Sequence, residues 1–263
     1  MNCVDQYRRK LLMGVNRNLR VIVITADEES IHQFRVGVKR LTALYRLLAA
    51  VDPGLRASKL LKPARQLSRS ISAVRDCHIT LGLIGKPGNP GAAETQLVQR
   101  AVNARIRARH REFCRLAGTG VRIPLRLPTL QSLRLNQASL LQHLPVILRQ
   151  LLARIAAPDD GSGDEQWHDK RILLKRYRHT LEAFSLCPGN RLDEKELVII
   201  GQLEQLLGDW HDRVIAIDIL QACGELEPVT TALIAELDRQ ARLLLGAAGI
   251  YLDKFFHEQS LPC

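Results

Sequence analysis

The sequence predicts an all-α protein, on three observations. Leu, Ala, Arg, Gln and Glu, which lose little on entering a helix, dominate the 263 positions. Val and Ile rarely alternate with polar residues in the way a half-buried strand requires. The interruptions are short clusters of the residues that punctuate chains: VDPG at 51–54, GKPGNPG at 85–91, PLRLP at 124–128, APDDGSGDE at 157–165 and CPGNRLDE at 187–194. The stretches between them are long enough to pack as antiparallel helical hairpins. The fourth break is the most linker-like, so the expected organisation is a single domain over 1–263 with a first half at 1–156, a linker at 157–165 and a second half at 166–263.

The first patterned helix reads IHQFRVGVKRLTALYR at 31–46. At about 100° per residue with His32 at zero, Arg35, Lys39 and Arg46 lie between about −60° and 0°, and Phe34, Leu41, Leu44, Tyr45 and Leu48 lie between about 120° and 220°. One face is basic and the opposite face is core. In KPARQLSRSISAVRDCHI, a second stripe of Lys62, Arg65 and Arg69 leads into Arg75 and Asp76. A third basic element, VQRAVNARIRARHREFCR, sets Arg100, Arg107, Arg111 and Arg115 within about 80° of one another. After the linker, WHDKRILLKRYRHTLE repeats the first pattern: His168, Arg171, Lys175 and Arg178 share an arc of about 80°, opposite Leu173, Leu174, Tyr177, Leu181 and Phe184. Arg40 and Arg176 flank their stripes.

The two halves are related. His32, Arg35, Lys39 and Arg40 recur as His168, Arg171, Lys175 and Arg176 at an offset of 136, and Gln66, Leu67 and Asp76 recur as Gln202, Leu203 and Asp212 at the same offset. Two separated blocks with one offset predict a duplicated helical hairpin.

Charge follows the same organisation. The net charge is +11, carried by 29 Arg and 9 Lys against 27 acidic residues, a bias toward the side chain whose planar fork of donors suits phosphate and carboxylate. Residues 30–155 hold 22 basic and 4 acidic residues, a net +18, and the remainder holds 16 and 23, a net −7. A solvated helix face ordinarily mixes signs for solubility and for pairing along the helix. Single-sign stripes on several helices of one domain are expected to converge on a groove whose field concentrates a polyanion.

These residues resemble the CHAD domain, the conserved-histidine α-helical domain: His, two residues, Arg, three residues and a basic pair, then Arg-Asp or His-Asp in the next helix, all of it doubled. The resemblance runs from about Glu28 to the C-terminal helix. It implies two pseudo-symmetric four-helix bundles with a basic central cleft, and binding of inorganic polyphosphate. By the same resemblance His32, Arg35, Lys39 and Arg40 are the contacts of the first half, His168, Arg171, Lys175, Arg176 and Arg178 those of the second, and Arg75 and His211 belong to the companion motif. The copies differ, since Thr42 stands where the second has Arg178 and His211 where the first has Arg75. Asp76 and Asp212 are expected to orient Arg75 or a histidine. Some family members are fused to a triphosphate tunnel metalloenzyme domain, whose alternating Glu motif this sequence lacks.

Other readings meet specific objections. Glu29 with His32 and Glu165 with His168 have the Glu-x-x-His spacing of di-iron helical bundles, but such a site needs two further carboxylates, and only Asp76 and Asp212 offer themselves. Acidic residues before each motif serve equally as partners of a helix N-terminus. There is no HExxH, Walker A loop or GxSxG, so neither an enzyme nor a cofactor is expected. RNA or DNA backbone would be drawn to the same stripes, in a weak and salt-sensitive way. The 11 aromatic residues offer little for base stacking, and no base-reading motif is present. The longest apolar run, Leu243–Leu252, is too short to span a bilayer, and the N-terminus lacks a secretory signal's apolar core. A cytoplasmic protein with reduced thiols is expected, which the resemblance extends to association with polyphosphate granules. Nothing in the sequence sets an oligomeric state.

Overall fold

The computed structural model describes residues 3–85, 92–118, 125–129, 131, 137–157, 163–185, 194–223 and 227–259. These residues form α1 (Cys3–Ile24), α2 (Glu28–Val51), α3 (Ala57–Leu60), α4 (Lys62–Ser70), α5 (Ser72–Ile84), α6 (Ala92–Gly118), α7 (Gln137–Ile155), α8 (Asp164–Ser185), α9 (Glu194–Gln221) and α10 (Glu227–Gln259). Among the described residues there is no strand. The all-α expectation holds. Of the linker at 157–165, residues 158–162 lie outside the described residues, Gly163 takes a left-handed φ of 60°, and Asp164 and Glu165 open α8. Residues 86–91 and 187–193 of two further breaks lie outside the described residues as well.

The chain divides into two compact units, and they are not the two sequence halves. Met1–Arg69 with Arg115–Ile200 form one, and Ser70–Cys114 with Gly201–Cys263 the other. In the first unit α2 packs against α1, α7 and α8. The helices that carry the two copies of the basic motif therefore share a unit. The face of α2 expected to be core is core: Phe34, Leu41, Leu44, Tyr45 and Leu48 are fully buried, as is Leu174 of α8. Asp27 caps α2 by accepting from the Ser30 backbone N–H at 2.7 Å, with Glu28 and Glu29 in the first turn, so these acids favour the helix N-terminus. Glu29 accepts a hydrogen bond from Gln33 at 2.6 Å. At the other end of the loop before α8, the buried Lys170 ammonium donates to the carbonyls of Ile155 and Ala157, both at 2.7 Å, and so closes the C-terminus of α7.

Polar anchors hold residues 125–128 of the third break onto this unit. Asn16 donates to the Leu125 carbonyl at 3.0 Å and accepts from its N–H at 2.7 Å. Tyr45 donates to the Pro128 carbonyl at 2.6 Å, and buried Arg8 reaches both Asp5, at 2.7 Å, and the Leu127 carbonyl, at 3.2 Å. Burial first of all pushes the Tyr45 hydroxyl up to about 12.

At Gly37 of α2 the approach of α1 is so close that a Cβ would lie 2.6 Å from the Val15 Cγ2. Alanine is the better helix former by about 1 kcal/mol, yet forcing a methyl into a packed contact costs about 1–3 kcal/mol. Val15 is buried and β-branched, so it cannot swing aside. Gly37→Ala is expected to lower stability by about 1–2 kcal/mol in urea unfolding, against its propensity.

The second unit buries Val74 and Ile84 of α5, Val102, Ile106 and Phe113 of α6, Leu203, Leu207 and Trp210 of α9, and Leu237 and Phe255 of α10. Arg105 of α6 donates to the carbonyls of Ile219, at 3.1 Å, and Ala222, at 2.5 Å, closing the end of α9. Arg213 of α9 donates to Gln240 of α10 at 2.8 Å. Cys77, Cys114 and Cys223 are free thiols, whereas Cys3 is disulfide-bonded, which departs from the expectation of reduced cysteines throughout.

Candidate anion site between α2, α4 and α8

Within the first unit, α2, α4 and α8 line a half-open cavity of about 420 Å3. Lys39 and Arg46 enter it from α2, Arg65 and Arg69 from α4, and Arg171, Lys175 and Arg176 from α8. Both copies of the basic motif thus contribute to one cavity. Among the described residues no carboxylate lines it; the rest of the wall is Val38, Thr42, Ala43, Ser68, Ile172 and His179. Apolar atoms beside the cations lower the local dielectric and strengthen any charge interaction made there.

Like charges act on one another along the wall. Burial, then the charges of Arg176 and Arg65, push the Arg46 guanidinium below its ordinary value. Burial, then Arg154, do the same to Arg176. The buried Nε of Arg176 has no hydrogen-bond partner among the described residues. An anion would relieve both the repulsion and the unmet donor.

Other expected contacts are placed differently. Arg40 makes a two-pronged pair with Glu182 of α8, Nε at 2.9 Å and Nη2 at 3.3 Å, and Arg178 lies 3.7 Å from the same carboxylate. The sequence reading put Arg178 on the binding stripe and Arg176 at its flank; in the structure Arg176 lines the cavity and Arg178 does not. The reason is local, because Arg178 and Glu182 are one helical turn apart and Glu182 is also claimed by Arg40. Arg35 donates from Nη1 to the Ser68 carbonyl of α4 at 3.1 Å. His32 and His168 are half-buried on α2 and α8, and Lys62 is exposed at the start of α4; none of the three is in the cavity wall. Arg75, Arg100, Arg107, Arg111 and His211 belong to the second unit, where the three α6 arginines are exposed and Arg75 and His211 are half-buried.

Two residues that the stripes did not mark are central. Glu182 accepts from Arg40 and contacts buried His179 at 3.3 Å, and thereby ties α2 to α8 behind the cavity wall. Burial alone would raise its carboxyl, but the His179 hydrogen bond and the Arg40 charge outweigh this and hold it at about 2. His179 itself faces the cavity. The available signal was the spacing of Arg178, His179 and Glu182 along one turn. Among the described residues no group of three or more His, Cys, Asp or Glu side chains is placed to hold a metal ion.

Comparison with known proteins supplies the family. A model of the CHAD domain matches residues 6–221. The chain belongs to the CHAD family. The solved CHAD domain from the plant Ricinus communis is similar at 22% identity and a TM-score of 0.69, covering 99% of this chain and 91% of that one. PptA from Streptomyces chartreusis is similar at 16% identity and a TM-score of 0.56, covering 97% and 98%. At these identities the likeness is one of fold. No curated protein matches the chain. Of this CHAD domain, α10 lies beyond the matched residues. Among the described residues no helix is long and apolar enough to cross a membrane.

Proposed function

We propose that this CHAD protein binds inorganic polyphosphate without chemical conversion, in the cavity between α2, α4 and α8. The single observation that carries the reading is that seven cationic side chains from three helices meet in one cavity whose described wall holds no carboxylate. Membership of the family, from which polyphosphate was expected, supports the choice of anion. Lys39, Arg46, Arg171 and Lys175 supply charge, Arg65 and Arg69 close the α4 side, and the Arg176 Nε offers a donor already desolvated. Affinity comes from several charge-assisted bonds, each about 1.5–3 kcal/mol gross and less where exposed. Binding rather than cleavage is the chemistry that seven cations in one wall support. A cytoplasmic location with association to polyphosphate granules belongs to the same reading.

Titrating the full chain with long-chain polyphosphate across a salt series tests it. Binding that is tight at low salt and falls steeply and log-linearly as salt rises is expected, since cations held near the polyanion are released on binding. Saltproof binding, or none at low salt, contradicts the reading.

A further inference from the structure

The cavity does not end at Arg46 and Arg176. Both side chains, with Ala43, also wall a second chamber of about 220 Å3, whose far side is α7 with Gln150 and Arg154. The two chambers together follow α2 from Val38 to Ala50, which at the helical rise is about 18 Å. Arg154 is exposed in the last turn of α7, and its charge acts on Arg176. The second chamber likewise has no carboxylate in its described wall. An anion small enough to stay in the first chamber would reach Arg46 and Arg176 but make no contact with Arg154, which lines the second chamber alone. One that passes the Arg46 and Arg176 junction would sit between like charges and neutralise both.

We propose that the site is bipartite: a chain of linked phosphoryl groups held by the first chamber continues past Arg46 and Arg176 into the second, where Arg154 binds its far part and sets a preference for long chains over short ones. The inference rests on the polyphosphate reading above and assigns Arg154 a role that the basic motifs do not include. Favourable interaction of Arg154 with the C-terminus of its own helix is the merely structural alternative, and it would touch every ligand equally.

The experiment compares the full chain, Arg154→Gln and, as a control, Arg149→Gln. Arg149 is an exposed α7 residue that is in neither chamber wall. Each protein is titrated with pyrophosphate and with long-chain polyphosphate at the same physiological salt, and its melting temperature is recorded. The ratio of long-chain to pyrophosphate affinity is expected to fall about tenfold in Arg154→Gln, the size of one partly exposed charge contact, and to stay at the wild-type value in Arg149→Gln. An unchanged ratio in Arg154→Gln, whether because both affinities drop together or because neither does, overturns the bipartite site. A wild-type chain that binds neither ligand overturns the polyphosphate reading itself and the inference with it.

Discussion

Replacing Lys39, Arg46 and Arg171 together by Gln is expected to weaken long-chain polyphosphate binding about 100-fold or more and to leave the helical content intact. Three partly exposed charge contacts at about 1 kcal/mol each amount to about 3 kcal/mol, and every 1.4 kcal/mol is tenfold in affinity. The three residues come from both motif helices, so no single helix can hold the chain after their loss. Arg46→Gln alone carries a second expectation. Arg46 is repelled by Arg176 and Arg65, so its neutralisation should raise the melting temperature of the ligand-free protein slightly while reducing affinity. A binding isotherm and a thermal melt on the same samples check both; a triple variant that binds as the wild type does would remove the cavity as the site.

Glu182→Ala is expected to act in the opposite sense, costing stability first. The carboxylate is about a quarter exposed and accepts from Arg40 of another helix. Breaking a fully buried pair by removing one partner costs about 3–5 kcal/mol, and partial exposure reduces this to about 2–3 kcal/mol. That corresponds to a fall in melting temperature of roughly 5–10 °C for a chain of this size. The pH dependence has a definite sign. Because the folded state holds the carboxyl at about 2 against an ordinary 4.5, the contribution is fully present above the ordinary value and is lost as pH falls from 4.5 toward 2. The stability difference between wild type and Glu182→Ala should therefore shrink across that interval, as measured by urea unfolding at several pH values. A difference that stays constant from neutral pH to pH 2 would mean that the Glu182 charge does not tie α2 to α8.

The sequence made the core face of α2 legible because the large apolar residues there follow the 3.6-residue period: Phe34, Leu41, Leu44, Tyr45 and Leu48 are all fully buried. It also marked Lys39, Arg46, Arg65, Arg69, Arg171 and Lys175, which line the cavity, because cations recur there on one face at helical spacing. It misplaced the face of α8. The cavity-lining residues of that helix, Arg171, Ile172, Lys175, Arg176 and His179, centre about 50° away from the charged stripe, which brings Arg176 in and turns Arg178 out. Helical periodicity gives a stripe's width but not the angle at which the neighbouring helices open. Arg40 and Glu182, residues 142 positions apart, tie α2 to α8, a contact that no local pattern reveals. An offset of 136 relates the two motif copies in the sequence, yet an offset does not say that α2 and α8 pack in one unit. Arg154 went unmarked because its helix carries no stripe and its significance comes from the shared wall at Arg46 and Arg176.

The most direct measurement is a competition titration at physiological salt in which unlabelled long-chain polyphosphate, RNA and DNA displace a labelled long polyphosphate from the full chain, each compared at equal phosphate concentration. A cavity lined by seven cations, with no Phe, Tyr or Trp in its described wall, predicts displacement by polyphosphate at concentrations at least tenfold lower than by either nucleic acid. Equal displacement by RNA or DNA would contradict the account and make the cationic cavity a general phosphate-backbone site.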